Sequence, residues 1–328
     1  MRILILSGSE VRDLLGYPEC AEVLRAALAA RARGEVHQPL RTIIQPDDAA
    51  GLMALMPVYW PGADPAYGLK AICIFPGNPA LGRDAHQGGV LLSSARTGEL
   101  LAVLNGSALT EIRTAAVSAL ATSLLARPDA DQLAVIGTGV QARAHLLAIS
   151  AGRALTEIRV AGRDPAKAAA FAARMQAHVR APVTARASAR EAVDGAGIIV
   201  TATSASEPVL QRGWLAPGTH INAVGACLPR SRELDAATIA DSALFADSRE
   251  SVRGEAGDYL LALAEGAIGP GHIRAEIGEL LTGEAAGRTG DEEITVFESL
   301  GLAVEDLAAA AYVYGKASRL SAGTWVEF

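Results

Sequence analysis

Three basic residues sit where a chain rarely places a cation for packing alone. Lys70 lies inside "YGLKAICIFPGNP", residues 67–79, which reads as a short buried strand closed by a Pro-Gly-Asn turn. Alternate side chains of an extended segment share a face, so Lys70, Ile72 and Ile74 point one way and Leu69, Ala71 and Cys73 the other, with both faces apolar. A lysine at the entrance of such a strand either lays its stem on the packing and lifts its amine to water, or works in a cleft. Arg41 opens the strand "RTIIQP", and Arg113 is expected in the first turn of the helix "TEIRTAAVSALATSLLA". The helix dipole disfavours a cation there, and a nearby anion would resolve the conflict. One guanidinium holds a carboxylate bidentately and a second cation fixes its orientation, which is how a small amino or imino acid is clamped for reaction at its α-carbon. Burial and neighbouring positive charge would both lower the pKa of Lys70 toward the range useful for proton transfer.

Other chemistries find less support. Cys20, Cys73 and Cys227 are odd in number and widely spaced, which fits neither a disulfide framework nor a zinc site. The six histidines show no His-x-x-x-His pattern, so a metal has no visible ligand set and none is expected. Net charge is −7 with a pI near 5.5, and no basic run interleaves with aromatics, so nucleic acid is not an expected partner. The stretch "AAVSALATSLLA" is too short to span a bilayer and "MRILILSGSE" lacks the length and cleavage site of a signal peptide, so no membrane partner and a cytoplasmic location are expected.

The elements that must position the cations fall into two halves. Up to about residue 110 a helix, "PECAEVLRAALAARARG", accompanies probable strands at "LRTIIQP", "GLMALMPVYW", "GLKAICIFP", "GGVLLSSA" and "LLAVLN", an antiparallel α+β pattern. From about residue 130 the rhythm becomes strand, turn, helix, which predicts a Rossmann-type doubly wound parallel sheet in an α/β protein. The last amphipathic segment, "GLAVEDLAAAAYVYGKAS", follows that sheet and is expected to cross back to the first domain. The expected division is 1–117 with 305–328 as one domain and 118–304 as the Rossmann domain.

Within the second half, "AVIGTGVQARAHLLA" holds Gly137, Gly139 and Ala142 in the G-x-G-x-x-A form of the dinucleotide fingerprint, between an apolar strand and a helix. Phosphate then sits on the helix N-terminus beside Thr138, Val140 and Gln141. The second strand ends "RVAGRDP": Gly162 stands where an NAD enzyme carries a carboxylate for the ribose, and Arg163 is available to pair with a 2′-phosphate. NADP(H) is therefore preferred over NAD(H), although a one-residue shift would bring Asp164 to the ribose. Further cofactor contacts are expected at Thr114, Thr203, Ser204 and Val224.

The chain resembles the ornithine cyclodeaminase and mu-crystallin family over nearly its whole length, in "LRTIIQP", "LMP", "YGLKAICIFPGNP", "LTEIRTAAVSALA", "IGTGVQARAH", "INAVGACLPRSRELD" and "DEEITVFESLGLAVEDLAAA". That resemblance implies a homodimer built through the non-nucleotide domain, with a cleft beside the Rossmann domain. It also implies that Lys70 of "YGLK" is the active-site lysine and that Arg41 of "LRTI" and Arg113 of "EIRTAA" bind the substrate carboxylate. By the same route Asp235 of "RELD" is the general acid/base, and Ser299 and Gly301 of "FESLG" approach the nicotinamide. One departure stands out: where cyclodeaminase members typically read Glu-Leu-Met-Pro, this chain has Ala54 before Leu55, Met56 and Pro57. The expected activity is NADPH-dependent reduction of a small cyclic ketimine acid, Δ1-pyrroline-2-carboxylate or Δ1-piperideine-2-carboxylate. The alternatives are an NAD-linked ornithine cyclodeaminase or alanine dehydrogenase, and a mu-crystallin-like NADPH-dependent ligand-binding protein.

Overall fold

The computed structural model of the protein describes residues 2–62 and 64–328. It divides into two compact units, Met1–Arg113 with Gly301–Phe328, and Thr114–Leu300. In chain order the first unit contributes β1 (Arg2–Leu6), α1 (Gly8–Leu14), α2 (Tyr17–Ala32), β2 (Thr42–Ile44), β3 (Leu52–Trp60), β4 (Ala66–Ile74), β5 (His86–Ser94) and β6 (Leu100–Asn105). Helix α3 (Gly106–Leu125) contains the boundary and runs through it without a break. The second unit carries β7 (Gln132–Ile136), α4 (Val140–Gly152), β8 (Glu157–Ala161), α5 (Pro165–Gln176), β9 (Val183–Ala185), α6 (Ala189–Val193), β10 (Ile198–Thr201) and β11 (His220–Ala223). It continues with α7 (Ala236–Ala240), β12 (Ser242–Ala246), α8 (Arg249–Glu255), α9 (Gly257–Ala264), β13 (Ile273–Glu276), α10 (Ile277–Thr282) and β14 (Ile294–Glu298). Finally α11 (Ala303–Leu320) and β15 (Thr324–Glu327) return to the first unit. The expected cuts after 117 and before 305 lie four residues from these boundaries, the first inside α3, where an unbroken helix offers no turn signal, and the second just inside α11.

The first unit is a seven-stranded sheet in the order β15-β1-β6-β5-β4-β3-β2. It is mixed rather than purely antiparallel: β1 pairs with β6 in parallel, and every other pair is antiparallel. On one face Leu52, Ala54, Met56 and Val58 of β3 alternate inward, as do Gly68, Lys70 and Ile72 of β4. Helix α11 crosses this face and also packs on α2. Its close approach depends on Gly68, where a Cβ would stand 3.1 Å from Leu307 Cδ1. Fully buried leucines such as Leu4, Leu24 and Leu104 each add about 1.5–3 kcal/mol of burial to this layer.

The second unit is an eight-stranded sheet in the order β13-β12-β14-β11-β10-β7-β8-β9, parallel throughout. Its central strands β10, β11, β12 and β14 are buried at every residue, as a parallel sheet covered on both faces requires. Chain order reverses between β7 and β10, so the loop after β7 opens at the switch point where such sheets bind ligands.

Candidate active site and cofactor loop

Lys70 stands at the middle of β4, not at its entrance, and is 3% exposed, so its amine does not reach water. Its cross-strand neighbours are Met56 and Val90. The Nζ donates instead to Asp306 Oδ1 at 3.2 Å. Arg113 Nε donates to the same oxygen at 3.1 Å, and its Nη1 to Glu305 Oε2 at 2.8 Å. Both carboxylates belong to the first turn of α11, where the helix dipole favours negative charge.

Arg113 is not in the first turn of its helix. Helix α3 begins at Gly106 because Asn105 Oδ1 accepts from Ala108 N at 2.9 Å, which caps the helix directly off β6. The conflict with the dipole that suggested an outside anion is therefore absent, and the partners of Arg113 are the protein's own carboxylates.

Arg41 joins through the backbone: its Nη2 donates to the Gly301 carbonyl at 2.9 Å. Gly301 has φ +83°, and a Cβ there would lie 2.2 Å from Arg113 Nη1. That residue must be glycine for the guanidinium to keep its place. Gln38 accepts from Val304 N at 2.9 Å, which anchors the same helix end.

Burial is the main reason the pKa of Lys70 falls to about 8; Asp306 works against the fall, while Arg113 and Arg41 deepen it. His86 faces the same cations, and burial together with Lys70 and Arg113 lowers its pKa, which keeps it neutral near pH 7. Lys70 and Arg113 thus meet the carboxylates Glu305 and Asp306, and Arg41 reaches the same helix end through the Gly301 carbonyl. On the Lys70 face of the sheet, Leu52, Ala54 and Ile72 form a separate small apolar cluster.

In the second unit the loop after β7 has the shape a dinucleotide needs. Gly137 has φ +130°, and a Cβ there would lie 2.4 Å from the Ala202 carbonyl, so the turn admits no side chain. Gly139 is the N-cap of α4, with no side-chain cap, no acidic residue in the first turn, and nothing within 4 Å of where its Cβ would be. The first amide donors of α4 are thus left to a phosphate, and the residues fit that group. Thr138 is half-buried, Val140 is exposed, and the Gln141 Oε1 and Ser299 Oγ are buried with no protein partner. Thr114 Oγ1, on α3, is in the same condition.

Strand β8 ends at Ala161, so Gly162 and the exposed Arg163 follow it directly. Asp164 is the N-cap of α5, its Oδ1 accepting from Ala166 N at 2.9 Å and Lys167 N at 3.2 Å. Val224 is buried and Ser204 exposed. Thr203 N donates to Glu233 Oε1 and Gly225 N to Glu233 Oε2, both at 2.6 Å, so one buried carboxylate pins the loops after β10 and β11.

A family model described as the ornithine cyclodeaminase/mu-crystallin family matches residues 1–321. The chain belongs to the ornithine cyclodeaminase/mu-crystallin family. A Delta(1)-pyrroline-2-carboxylate reductase of Bacillus cereus is 39% identical over 327 residues, covering 99% of this chain and 100% of that protein. The ketimine reductase mu-crystallin of Mus musculus is 41% identical over 313 residues, covering 94% and 96% of the two chains. Among solved structures, the Delta(1)-pyrroline-2-carboxylate reductase of Thermococcus litoralis in complex with NADH and L-proline superposes with a TM-score of 0.95 at 38% identity, covering 98% of this chain and 99% of that one.

Membership in the family does not by itself give each residue its role. Asp235, expected to act as general acid/base, is the N-cap of α7: its Oδ1 accepts from Thr238 N at 2.9 Å, from Thr238 Oγ1 and from Arg212 N at 3.1 Å. An aspartate directly before a short helical run carries that capping signal in the sequence. Glu233, Glu305 and Asp306 lie inside the motifs "RELD" and "LAVEDLAAA", but nothing in their spacing marks them as partners of the cations or loops, and His86 lies outside any motif. Among the described residues no group of three or more His, Cys, Asp or Glu side chains is arranged to hold a metal ion, and no helix is long and apolar enough to cross a membrane.

Proposed function

We propose that this protein is a nicotinamide-dependent reductase of small cyclic ketimine acids, converting Δ1-pyrroline-2-carboxylate or Δ1-piperideine-2-carboxylate to proline or pipecolate. The observation that carries the reading is the convergence of Lys70, Arg113 and Arg41 on the segment Gly301–Asp306, on a sheet face that also carries the apolar cluster of Leu52, Ala54 and Ile72. A monocarboxylate with a hydrocarbon ring matches both. The cyclic-imine and proline chemistry named for its relatives supports the same class.

In this scheme Arg113 and Arg41 orient the carboxylate. A reduced nicotinamide cofactor, its pyrophosphate held by the loop of Gly137 and Gly139, would supply a hydride to the imine carbon. The π pair of C=N moves onto nitrogen, which takes a proton from Lys70 Nζ; Lys70 is left as a neutral amine and is reprotonated from solvent after the product leaves the site. A lysine with a pKa near 8 is suited to that exchange at neutral pH. Asp235 keeps a structural part, as the cap of α7.

The preferred cofactor in this reading is NADPH, with NADH usable. Gly162 offers no carboxylate to repel a 2′-phosphate, Arg163 is exposed beside it, and Asp164 is engaged as a helix cap. The NADH complex of the Thermococcus litoralis relative favours NADH as a second reading. Ornithine cyclodeamination is less well served, because Ala54 and Ile72 present methyl groups on the face where a second ammonium would need an acceptor.

A homodimer through the first unit is part of the same proposal. The sheet face opposite Lys70 is apolar and open, with Pro57, Tyr59, Tyr67, Leu69 and Leu91 around a hollow of about 440 Å³ and Tyr67 53% exposed. Sedimentation of the full chain at twice 33.8 kDa is the expected result.

Initial rates with NADPH and NADH against both cyclic imines, ornithine, and pyruvate with ammonia test the activity. Turnover of the cyclic imines supports the reading. Ammonia release from ornithine, or tight ligand binding with no turnover, sinks it.

A further inference from the structure

We propose that Asp306 is the positioning residue of the cation cluster: one carboxylate oxygen gathers the Lys70 ammonium and the Arg113 guanidinium to a common point and holds Lys70 in its proton-bearing form. This rests on the reading of Lys70 as the proton donor to the imine nitrogen.

The geometry is convergent. Lys70 Nζ and Arg113 Nε meet at Asp306 Oδ1, 3.2 Å and 3.1 Å away, from a strand and a helix that are far apart in sequence. All three residues are at most 4% exposed, so water contributes little to their charge balance. Glu305 holds the other side of Arg113, which fixes the guanidinium plane and leaves Asp306 as the anion in contact with Lys70. The charged groups that act on Lys70 are Asp306 on α11, Arg113 on α3 and Arg41 before β2, and His86 on β5 faces Lys70 and Arg113; around them Glu305 on α11 pairs with Arg113, and the buried Cys20 thiol on α2, whose own pKa burial pushes up, feels Glu305, Arg113 and Asp306. Burial and the cations drive Lys70 toward its neutral amine, and Asp306 opposes them both as a charge and as a hydrogen-bond acceptor.

Loss of Asp306 therefore does more than loosen a contact. It turns the proton donor into a neutral amine at the pH where the reaction runs, while the carboxylate-binding cations remain. A residue that only supported the fold would lower activity equally at all pH values.

The test is the pH profile of kcat/KM for reduction of Δ1-pyrroline-2-carboxylate by the holoenzyme in wild type, Asp306→Asn and Asp306→Glu. Wild type should lose activity on a basic limb near pH 8. In Asp306→Asn that limb should move acidward by about 1–3 pH units, the displacement expected when an ion partner is removed, so activity at pH 8 drops by roughly tenfold or more and recovers toward acid pH. Asp306→Glu should restore the limb while raising KM. A limb unmoved in Asp306→Asn, or moved equally in both variants, overturns the assignment.

A second readout is independent of turnover: the ε-carbon NMR titration of ¹³C-labelled lysine, with Lys70 identified through Lys70→Arg. If wild type reduces no cyclic imine, the proposed reaction fails while this titration still decides the role of Asp306, an acidward shift in Asp306→Asn supporting it and an unchanged midpoint refuting it. If Asp306→Asn does not fold, Asp306→Glu decides alone: a midpoint near that of wild type supports the assignment and one moved acidward by about a unit or more overturns it.

Discussion

Replacing Lys70 with methionine should abolish imine reduction and make the first unit more stable. The Lys70 pKa falls from 10.5 in a free side chain to about 8 in the fold, a displacement that corresponds to about 3 kcal/mol. The sign follows from proton counting. Between pH 8 and 10.5 the unfolded chain binds the proton that the folded chain has released, so stability rises with pH across that window. Below it the buried ammonium carries its full cost. Methionine has a stem of similar length and no charge, so at pH 7 the variant should gain up to about 3 kcal/mol, shrinking to about 1 kcal/mol or less at pH 10. Removing one member of a buried pair usually costs about 3–5 kcal/mol, because the other is left uncompensated. Here Arg113 still donates to the same oxygen of Asp306, so that penalty is largely avoided. Urea unfolding at pH 7 and pH 10 measures the difference, read from Trp60 and Trp325 of the first unit in a Trp214→Phe background. A variant less stable than wild type at pH 7, or a difference independent of pH, would refute the reasoning.

Three further substitutions probe the rest of the machinery. Gly137→Ala places a Cβ 2.4 Å from the Ala202 carbonyl at φ +130°, so NADPH affinity in a fluorescence titration should fall at least about tenfold, with a stability loss of about 1–3 kcal/mol. Gly301→Ala drives a methyl group into the Arg113 guanidinium, and KM for the imino acid should rise by about tenfold or more with cofactor binding retained; an unchanged KM means the cluster does not hold the carboxylate. Arg163→Ala should weaken NADPH by roughly 1.5–3 kcal/mol and leave NADH nearly unchanged, and equal effects on both cofactors would remove the 2′-phosphate pairing.

The parts of the molecule that were legible in the sequence are those whose requirements are local. The loop at Gly137 and Gly139 declares itself because strand, tight turn and helix start within about ten residues, and each glycine answers a backbone constraint at its own position. Alternation along β4 likewise put Lys70 on the face of Ile72. The same alternation could not say what covered that face. The cover is α11, whose Asp306 is separated from Lys70 by 236 residues, and an acidic pair in a first helical turn reads equally well as compensation of the dipole. Strands β1 and β15 were not anticipated for a similar reason: β1 is five residues long and pairs with segments from the other end of the chain and from β6.

Arg113 and Asp235 show that a motif names a residue without giving its surroundings. Arg113 looked like a cation waiting for an anion because the helix was started four residues late; with Asn105 as the cap, it lies two turns deep and already meets Glu305 and Asp306. Asp235 is marked by its motif as a working carboxylate, and in the fold its Oδ1 also accepts from Thr238 N of its own helix start and from Arg212 N of a separate segment. The buried carboxylates of α11 change what the cations are able to do. Three unopposed positive charges in one buried layer would expel a proton from the weakest acid among them, and Lys70 is the only one of the three able to lose it. Asp306 offsets part of that field, which leaves Lys70 a proton to give. A site built from cations alone would bind the substrate anion more strongly and lack the acid that completes the reduction.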